Sequence, residues 1–69
     1  ERLKEIPASR KKREVVLRWL ADRFEIGPRY AEREVNEVIK RHHPDFATLR
    51  RELIGANLMQ REAGEYWRP

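Results

Sequence analysis

The chain contains no cysteine, so neither a disulfide nor a thiolate-bound metal can help to hold it together. With 69 residues it is long enough for one domain, and folding at this size buries only about 60% of the unfolded chain's surface. Its stability must therefore come from nearly every large apolar side chain. The lack of cysteine also favours a reducing compartment, so we expect a cytoplasmic protein.

The two ends of the chain differ in character. Residues 1–8 are mostly charged and contain Pro7, so we predict a tether over 1–8 and one domain over 9–69. The chain opens at Glu1 and not at Met, which indicates a piece of a longer protein. No apolar run approaches the roughly 18 residues of a membrane span, and no signal peptide is visible. We therefore expect no membrane association.

Apolar residues recur at helical spacing in three stretches. The first stretch, 9–24, begins at Ser9, whose hydroxyl suits a helix N-cap. The second covers 31–42, and the third covers 45–55 and begins at Asp45, another residue suited to an N-cap. The apolar faces of these three helices, together with one residue of the segment after the third helix, predict the core. The predicted core residues are Val16, Leu17, Leu20, Phe24, Val35, Ile39, Phe46, Leu49, Leu53 and Leu58.

Two non-helical segments complete the predicted fold. Arg29-Tyr30 is a short extended segment between the first and second helices, and 58–61 and 66–68 are the arms of a hairpin with Gly64 in its turn. Neighbours on a strand point to opposite faces, so one of the two aromatic residues at 66–67 should face the core. The order predicts an α+β, mainly α, winged-helix-like fold, with three helices followed by a C-terminal β-hairpin as the wing.

A run of basic residues occupies the start of the first helix. The chain has a formal net charge of +4 and a pI of about 10.0, and the excess is concentrated at Arg10, Lys11, Lys12 and Arg13. The dipole of a helix disfavours cations in its first turn, which indicates a use outside folding, such as contact with DNA phosphates. The alternative is an ordinary solvated helix start.

The third helix and the hairpin carry the other candidate contacts. At about 100° per residue, Arg51 lies opposite the apolar stripe of the third helix, with Thr48 beside it and Arg50 at the boundary. In a helix that enters the major groove these side chains would contact bases or phosphates. Arg61 and Arg68 in the wing would reach phosphate or the minor groove. We therefore predict double-stranded DNA as the partner, the alternative being that these arginines only solvate the surface.

Several stretches together resemble a known bacterial family, the domain of unknown function two thousand eighty-seven. The resemblance covers about residues 10–68, and its most specific part is the third stretch. One departure is Ala31, where the family usually has Thr or Ser, so we expect a weaker cap on the second helix. The matching stretches are 12–20 (KREVVLRWL), 30–36 (YAEREVN), 43–53 (HPDFATLRREL) and 58–62 (LMQRE), followed by Gly64 and 66–68 (YWR).

The resemblance implies a winged-helix-like fold and a regulatory setting, but no ligand. Members occur alone or behind the helix-turn-helix domain of some transcriptional regulators. The first functional hypothesis is therefore the DNA-binding domain of a bacterial transcriptional regulator. The alternative is a protein-interaction or dimerisation module within a larger regulator, in which another domain reads the DNA and this one contacts a protein partner or forms a homodimer.

Catalytic and metal-binding functions have little support in the sequence. His42 and His43 point about 100° apart on a helix and lack a third ligand, so we expect no metal and no cofactor. The tripeptide His43-Pro44-Asp45 is similar to that of J-domain co-chaperones, a rival hypothesis, but here Asp45 is predicted to cap a helix at once. The chain has a single serine, no glycine-rich phosphate loop and too few residues to enclose a deep pocket. We expect a binding domain and not an enzyme.

Overall fold

The predicted order of elements is confirmed in the computed structural model, which describes residues 9–69. Three helices and three short strands form an α+β, mainly helical domain with a winged-helix-like layout. None of the helices in this part of the chain is both long and apolar enough to cross a membrane. In chain order the elements are α1 (Arg10–Ala21), β1 (Arg29–Ala31), α2 (Glu32–Lys40), α3 (Phe46–Gly55), β2 (Gln60–Glu62) and β3 (Glu65–Trp67).

The predicted extended segment and hairpin join into one antiparallel sheet with the order β1-β3-β2. In this sheet Tyr66 on the central strand lies opposite both Tyr30 and Arg61. Directly opposed residues share a face of the sheet, so these three side chains point the same way. Of the two aromatic residues on β3, Tyr66 is the one that packs into the core, and Trp67 is half-buried.

The first helix is one turn shorter than predicted, because α1 ends at Ala21 and not at Phe24. The amide of Phe24 donates to the carbonyl of Ala21, three residues back, which closes a tight turn instead of continuing the α-helix. Phe24 remains buried. At the other end, Ser9 is the N-cap residue with an extended backbone, as predicted, but its hydroxyl makes no capping hydrogen bond.

The capping hydrogen bonds of the other two helices depend on whether the N-cap residue has a side-chain oxygen. Ala31 has no side-chain oxygen to cap α2, yet the carboxylate of Glu34 accepts a hydrogen bond of 2.9 Å from the backbone amide of Ala31. This is one of the two bonds of a capping box. For α3, Asp45 is confirmed as the N-cap residue, since its side chain accepts from the amide of Thr48 at 3.4 Å.

The core lies where the three helices meet the inner face of the sheet. Most of the predicted core residues are buried, but Val16, Phe46 and Leu58 are half-buried at its margin. The hairpin contributes more than predicted, because Met59 and Tyr66 are each about 1% exposed. The buried core residues are Leu17, Leu20, Ala21, Phe24, Val35, Ile39, Leu49, Leu53, Met59 and Tyr66.

Candidate nucleic-acid interface

Helix α3 turns its apolar stripe inward and Arg51 outward, as predicted. Leu49 and Leu53 are fully buried, whereas Arg51 is exposed on the opposite side of the helix. Thr48 lies three residues before Arg51 and is half-buried, with its backbone amide bound to Asp45. The face of α3 that solvent reaches is therefore centred on a single cation.

A groove of about 270 Å³ separates the C-terminal half of α3 from the hairpin. Arg51 reaches it from the helix and Arg61 from strand β2, so two residues predicted from separate elements are brought together. None of the described residues that line this groove is acidic. We call it the basic groove; its lining consists of Arg50, Arg51, Ile54, Gly55, Arg61 and Tyr66.

Arg61 is exposed at the edge of the sheet and lies beside its cross-strand partner Tyr66. A hydrogen bond to the Tyr66 oxygen is the main cause that raises the pKa of Arg61 above its ordinary value. Since arginine is already a cation at any physiological pH, Arg61 supplies a permanent positive charge to the basic groove.

Arg50, by contrast, is held inside the molecule. Its Nη1 donates to Oδ1 of Asn36, and its Nε lies 3.8 Å from Oε1 of Glu32, with the side chain 13% exposed. The same Glu32 oxygen accepts a hydrogen bond of 2.8 Å from the hydroxyl of Tyr66. Arg50 therefore links α3 to α2 and, through Glu32, to β3. In this position Arg50 supports one wall of the basic groove, and little of its side chain is exposed for contact with a ligand or with DNA.

The basic run at the start of α1 likewise contains both exposed cations and one that is bonded within the protein. Arg10, Lys11 and Lys12 are exposed, and the first turn contains no acidic residue. Arg13 instead forms an ion pair of 2.9 Å with Glu52 on α3. Three exposed cations at a helix N-terminus, where the dipole is also positive, create a local attraction for anions.

The basic run and the basic groove meet around the end of α3. Arg10 lines a second depression together with Gly55 and Ala56. Gly55 also lines the basic groove. The surface from Arg10 past Gly55 to Arg51 and Arg61 is thus continuous, although Glu14 and Glu52 also line its α1 side.

The remaining predicted contact, Arg68, lies away from this surface. Its guanidinium donates to the carboxylate of Asp22 at 2.8 Å and to the backbone carbonyl of Phe24 at 3.2 Å. These bonds attach the end of the chain to the turn after α1. Arg68 therefore has a structural role within the protein.

The two adjacent histidines have separate local contacts. Nδ1 of His43 accepts from the amide of Asp45 at 2.9 Å, and the ring of His42 packs edge-on against Trp19 with centroids 4.6 Å apart. Helix α3 begins directly after Asp45. The flexible loop that follows the corresponding tripeptide in a J-domain has no counterpart here, so the co-chaperone hypothesis does not fit this fold.

Sequence reasoning did not find the residues beneath the groove, although one signal was present. Glu32 and Asn36 are four residues apart on α2 and so share a face of that helix. Arg50 sits at the boundary of the apolar stripe of α3, which is where a side chain can turn toward a neighbouring helix. Polar partners at this spacing on α2 could have indicated that Arg50 is bound within the protein.

These features define a small α+β domain of winged-helix-like layout, with a basic surface beside its third helix. The chain belongs to the bacterial family described as uncharacterized protein conserved in bacteria (DUF2087), whose model matches residues 2–68. The family membership expected from the sequence is confirmed. The match begins within the segment predicted as a tether, which lies outside the described residues. No curated protein and no solved structure matches the chain.

Proposed function

We propose that this domain binds duplex DNA as part of a bacterial transcriptional regulator in the cytoplasm, and that it binds without catalysing a reaction. The observation that carries the proposal is the convergence of Arg51 and Arg61, from the third helix and the hairpin, in one groove without a lining carboxylate. In winged-helix proteins these two elements are the ones that meet DNA.

The exposed side of α3 would contribute the contact to base edges. The major groove of B-form DNA is about 12 Å wide and admits one α-helix. Helix α3 has ten residues, and its outer face carries Arg51 between the small residues Ala47 and Gly55. Small neighbours would let the helix approach closely, while a guanidinium can form two hydrogen bonds with one guanine. Thr48 would contact the DNA at the edge of this face.

The start of α1 would hold the phosphate backbone. Arg10, Lys11 and Lys12 are exposed cations, and Arg10 adjoins the end of α3. Contacts of this kind position a protein on the duplex without reading its sequence. Arg13, Arg50 and Arg68 were also predicted as DNA contacts. Because each is bonded within the protein, we assign all three to structural roles: Arg13 and Arg50 support this surface, and Arg68 attaches residue 68 to the turn after α1.

The proposal is tested by fluorescence anisotropy with a labelled mixed-sequence duplex at several salt concentrations. Affinity should fall steeply as salt rises, because binding releases counterions from the phosphates. Arg51→Glu should weaken binding by about tenfold or more. The matched control is Arg33→Glu, which reverses the same charge at an exposed position on α2 outside the described depressions. Absence of binding at low salt, or equal losses in both variants, would contradict the proposal.

The second candidate is a protein-interaction or dimerisation module, and the tip of the hairpin favours it. Glu62 and Glu65 lie directly opposite each other beside the turn and are both exposed. Two carboxylates at a wing tip repel phosphates, whereas they suit a basic protein surface. Sedimentation of the domain over a range of concentrations tests self-association. A concentration-dependent dimer together with no DNA binding at low salt would favour this module.

A further inference from the structure

The positive charge in the basic groove is incompletely neutralised. Three guanidinium groups line it, and Glu32, whose Oε1 lies 3.8 Å from Nε of Arg50, is already hydrogen-bonded to Tyr66. Nε of Arg50 has no hydrogen-bond partner in the described part of the chain. Among residues 9–69, Arg51 takes part in no ion pair. The groove therefore retains an excess of positive charge.

The shape of the groove admits a small ligand. Gly55 ends α3, and a Cβ atom built at this position would meet no atom within 4 Å, so space lies open beside the backbone. The half-buried side chain of Ile54 contributes apolar surface. The volume of about 270 Å³ lies just under the range of about 300–1,000 Å³ for pockets that enclose drug-sized molecules. A compact anion with a short apolar part fits this space.

We propose that the basic groove binds the phosphate group of a small phosphate monoester, with Arg51 and Arg61 contacting it from opposite sides. The forked donors of arginine match phosphate oxygens and bind them in pairs. The binding does not depend on the DNA proposal. Its consequence does, because the ligand occupies the two guanidinium groups assigned above to DNA and so competes with the duplex. The groove then serves as a site through which a phosphorylated metabolite weakens DNA binding.

The site is located by NMR titration of the ¹⁵N-labelled chain with inorganic phosphate and with glycerol 3-phosphate, each against sodium chloride at equal ionic strength. We expect saturable shifts at the amides of Arg51, Gly55 and Arg61, with a dissociation constant of about 1 mM or below. Glycerol 3-phosphate should bind more tightly than inorganic phosphate, because its carbon chain can contact Ile54. Shifts that fail to saturate, or that are as large at Lys11 and Lys12, would overturn the site.

Charge-removing variants separate this site from general attraction to a basic protein. Arg51→Gln and Arg61→Gln should each weaken glycerol 3-phosphate binding by about tenfold, since each removes a charge-assisted contact. Both side chains are exposed, so the fold should persist. The matched control Arg33→Gln removes the same charge from an exposed position on α2 that does not line the groove, and it should change the affinity less than about twofold. An equal loss in the control would overturn the proposal.

Competition then distinguishes this inference from the proposed function. With labelled duplex bound, glycerol 3-phosphate should displace the DNA at concentrations where sodium chloride of equal ionic strength does not. If the NMR shifts appear but no duplex binds, the ligand site stands and the DNA proposal fails. If the duplex binds and the shifts are absent, the DNA proposal stands and the ligand site fails.

Discussion

The hydroxyl of Tyr66 donates a hydrogen bond of 2.8 Å to Oε1 of Glu32, which joins the central strand of the sheet to the first turn of α2. Tyr66 is about 1% exposed, whereas the Glu32 side chain is 51% exposed, so water reaches the acceptor side of this bond. Arg50 approaches the same carboxylate from α3. Helices α2 and α3 and strand β3 therefore meet at one carboxyl group.

Removing this hydroxyl gives the first prediction. Tyr66→Phe should lower the free energy of unfolding by about 1 kcal/mol, because the ring stays packed while the bond to Glu32 is lost. Urea denaturation followed by tryptophan fluorescence measures the change. Tyr66→Ala should cost about 3–5 kcal/mol, a large part of the stability of so small a domain. An unchanged stability in Tyr66→Phe would show that the bond contributes nothing.

The inward face of α3 gives the second prediction. Leu49→Ala should destabilise the domain by about 2–5 kcal/mol, because Leu49 is fully buried and its removal leaves a cavity. Val15→Ala is the control, since Val15 is 67% exposed on α1 and its truncation should change stability by less than about 0.5 kcal/mol. Thermal denaturation of both variants, monitored by circular dichroism, makes the comparison. Similar melting temperatures would show that the stripe of α3 does not face the core.

The helix caps give a matched pair of variants. Asp45→Ala should cost about 1 kcal/mol, because the carboxylate caps α3 through the amide of Thr48. Ser9→Ala should cost no more than a few tenths of a kcal/mol, because the Ser9 hydroxyl makes no capping bond. Urea midpoints of the two variants check this order. The reverse order would contradict the cap assignments.

The uncapped start of α2 offers a stabilising substitution. Ala31 has an extended backbone with φ −71° and ψ 153°, and Glu34 already bonds to its amide. A serine here would supply the missing oxygen and complete the capping box, so Ala31→Ser should stabilise the domain by about 1 kcal/mol. A rise in the urea midpoint at constant slope is the expected result. No change would mean that the serine hydroxyl does not reach the third amide of the helix.

Arg10 and Arg68 should respond differently when DNA binding is measured against salt. Arg10→Gln removes an exposed cation proposed to contact a phosphate, so the slope of log affinity against log salt should fall in magnitude by about 1. Arg68→Gln removes the same charge but breaks bonds to Asp22 and Phe24 within the protein. It should lower the melting temperature and leave the slope unchanged. A loss of slope in Arg68→Gln would place that arginine on the DNA.

Much of the fold follows from local patterns. Apolar spacing located the three helices, although the first ends at Ala21, three residues before its predicted end. The strands were harder, because each has only three residues. Two aromatic neighbours on such a strand are equally apolar, and the pairing with β1 decides that Tyr66 faces inward. That pairing joins residues far apart in the chain and leaves no local signature.

The sequence predicted which charged residues belong to the candidate site, but not which of them form hydrogen bonds or ion pairs within the protein. Arg51 is solvent-facing for a reason visible in the sequence, since it lies opposite Leu49 and Leu53. Whether Arg50 is free depends on where α2 crosses α3, which helical periodicity does not specify. Only the packed structure shows Asn36 and Glu32 beside it.

The central strand of the sheet follows the other two described strands in sequence, and this has a consequence for synthesis. A chain leaves the ribosome from its N-terminal end, so β1 has no partner until residues 65–67 have emerged. Before that moment the core also lacks Tyr66, its largest fully buried side chain. We therefore expect the nascent chain to acquire its fold in one late step. A product truncated before Tyr66 should expose apolar surface that chaperones and proteases recognise.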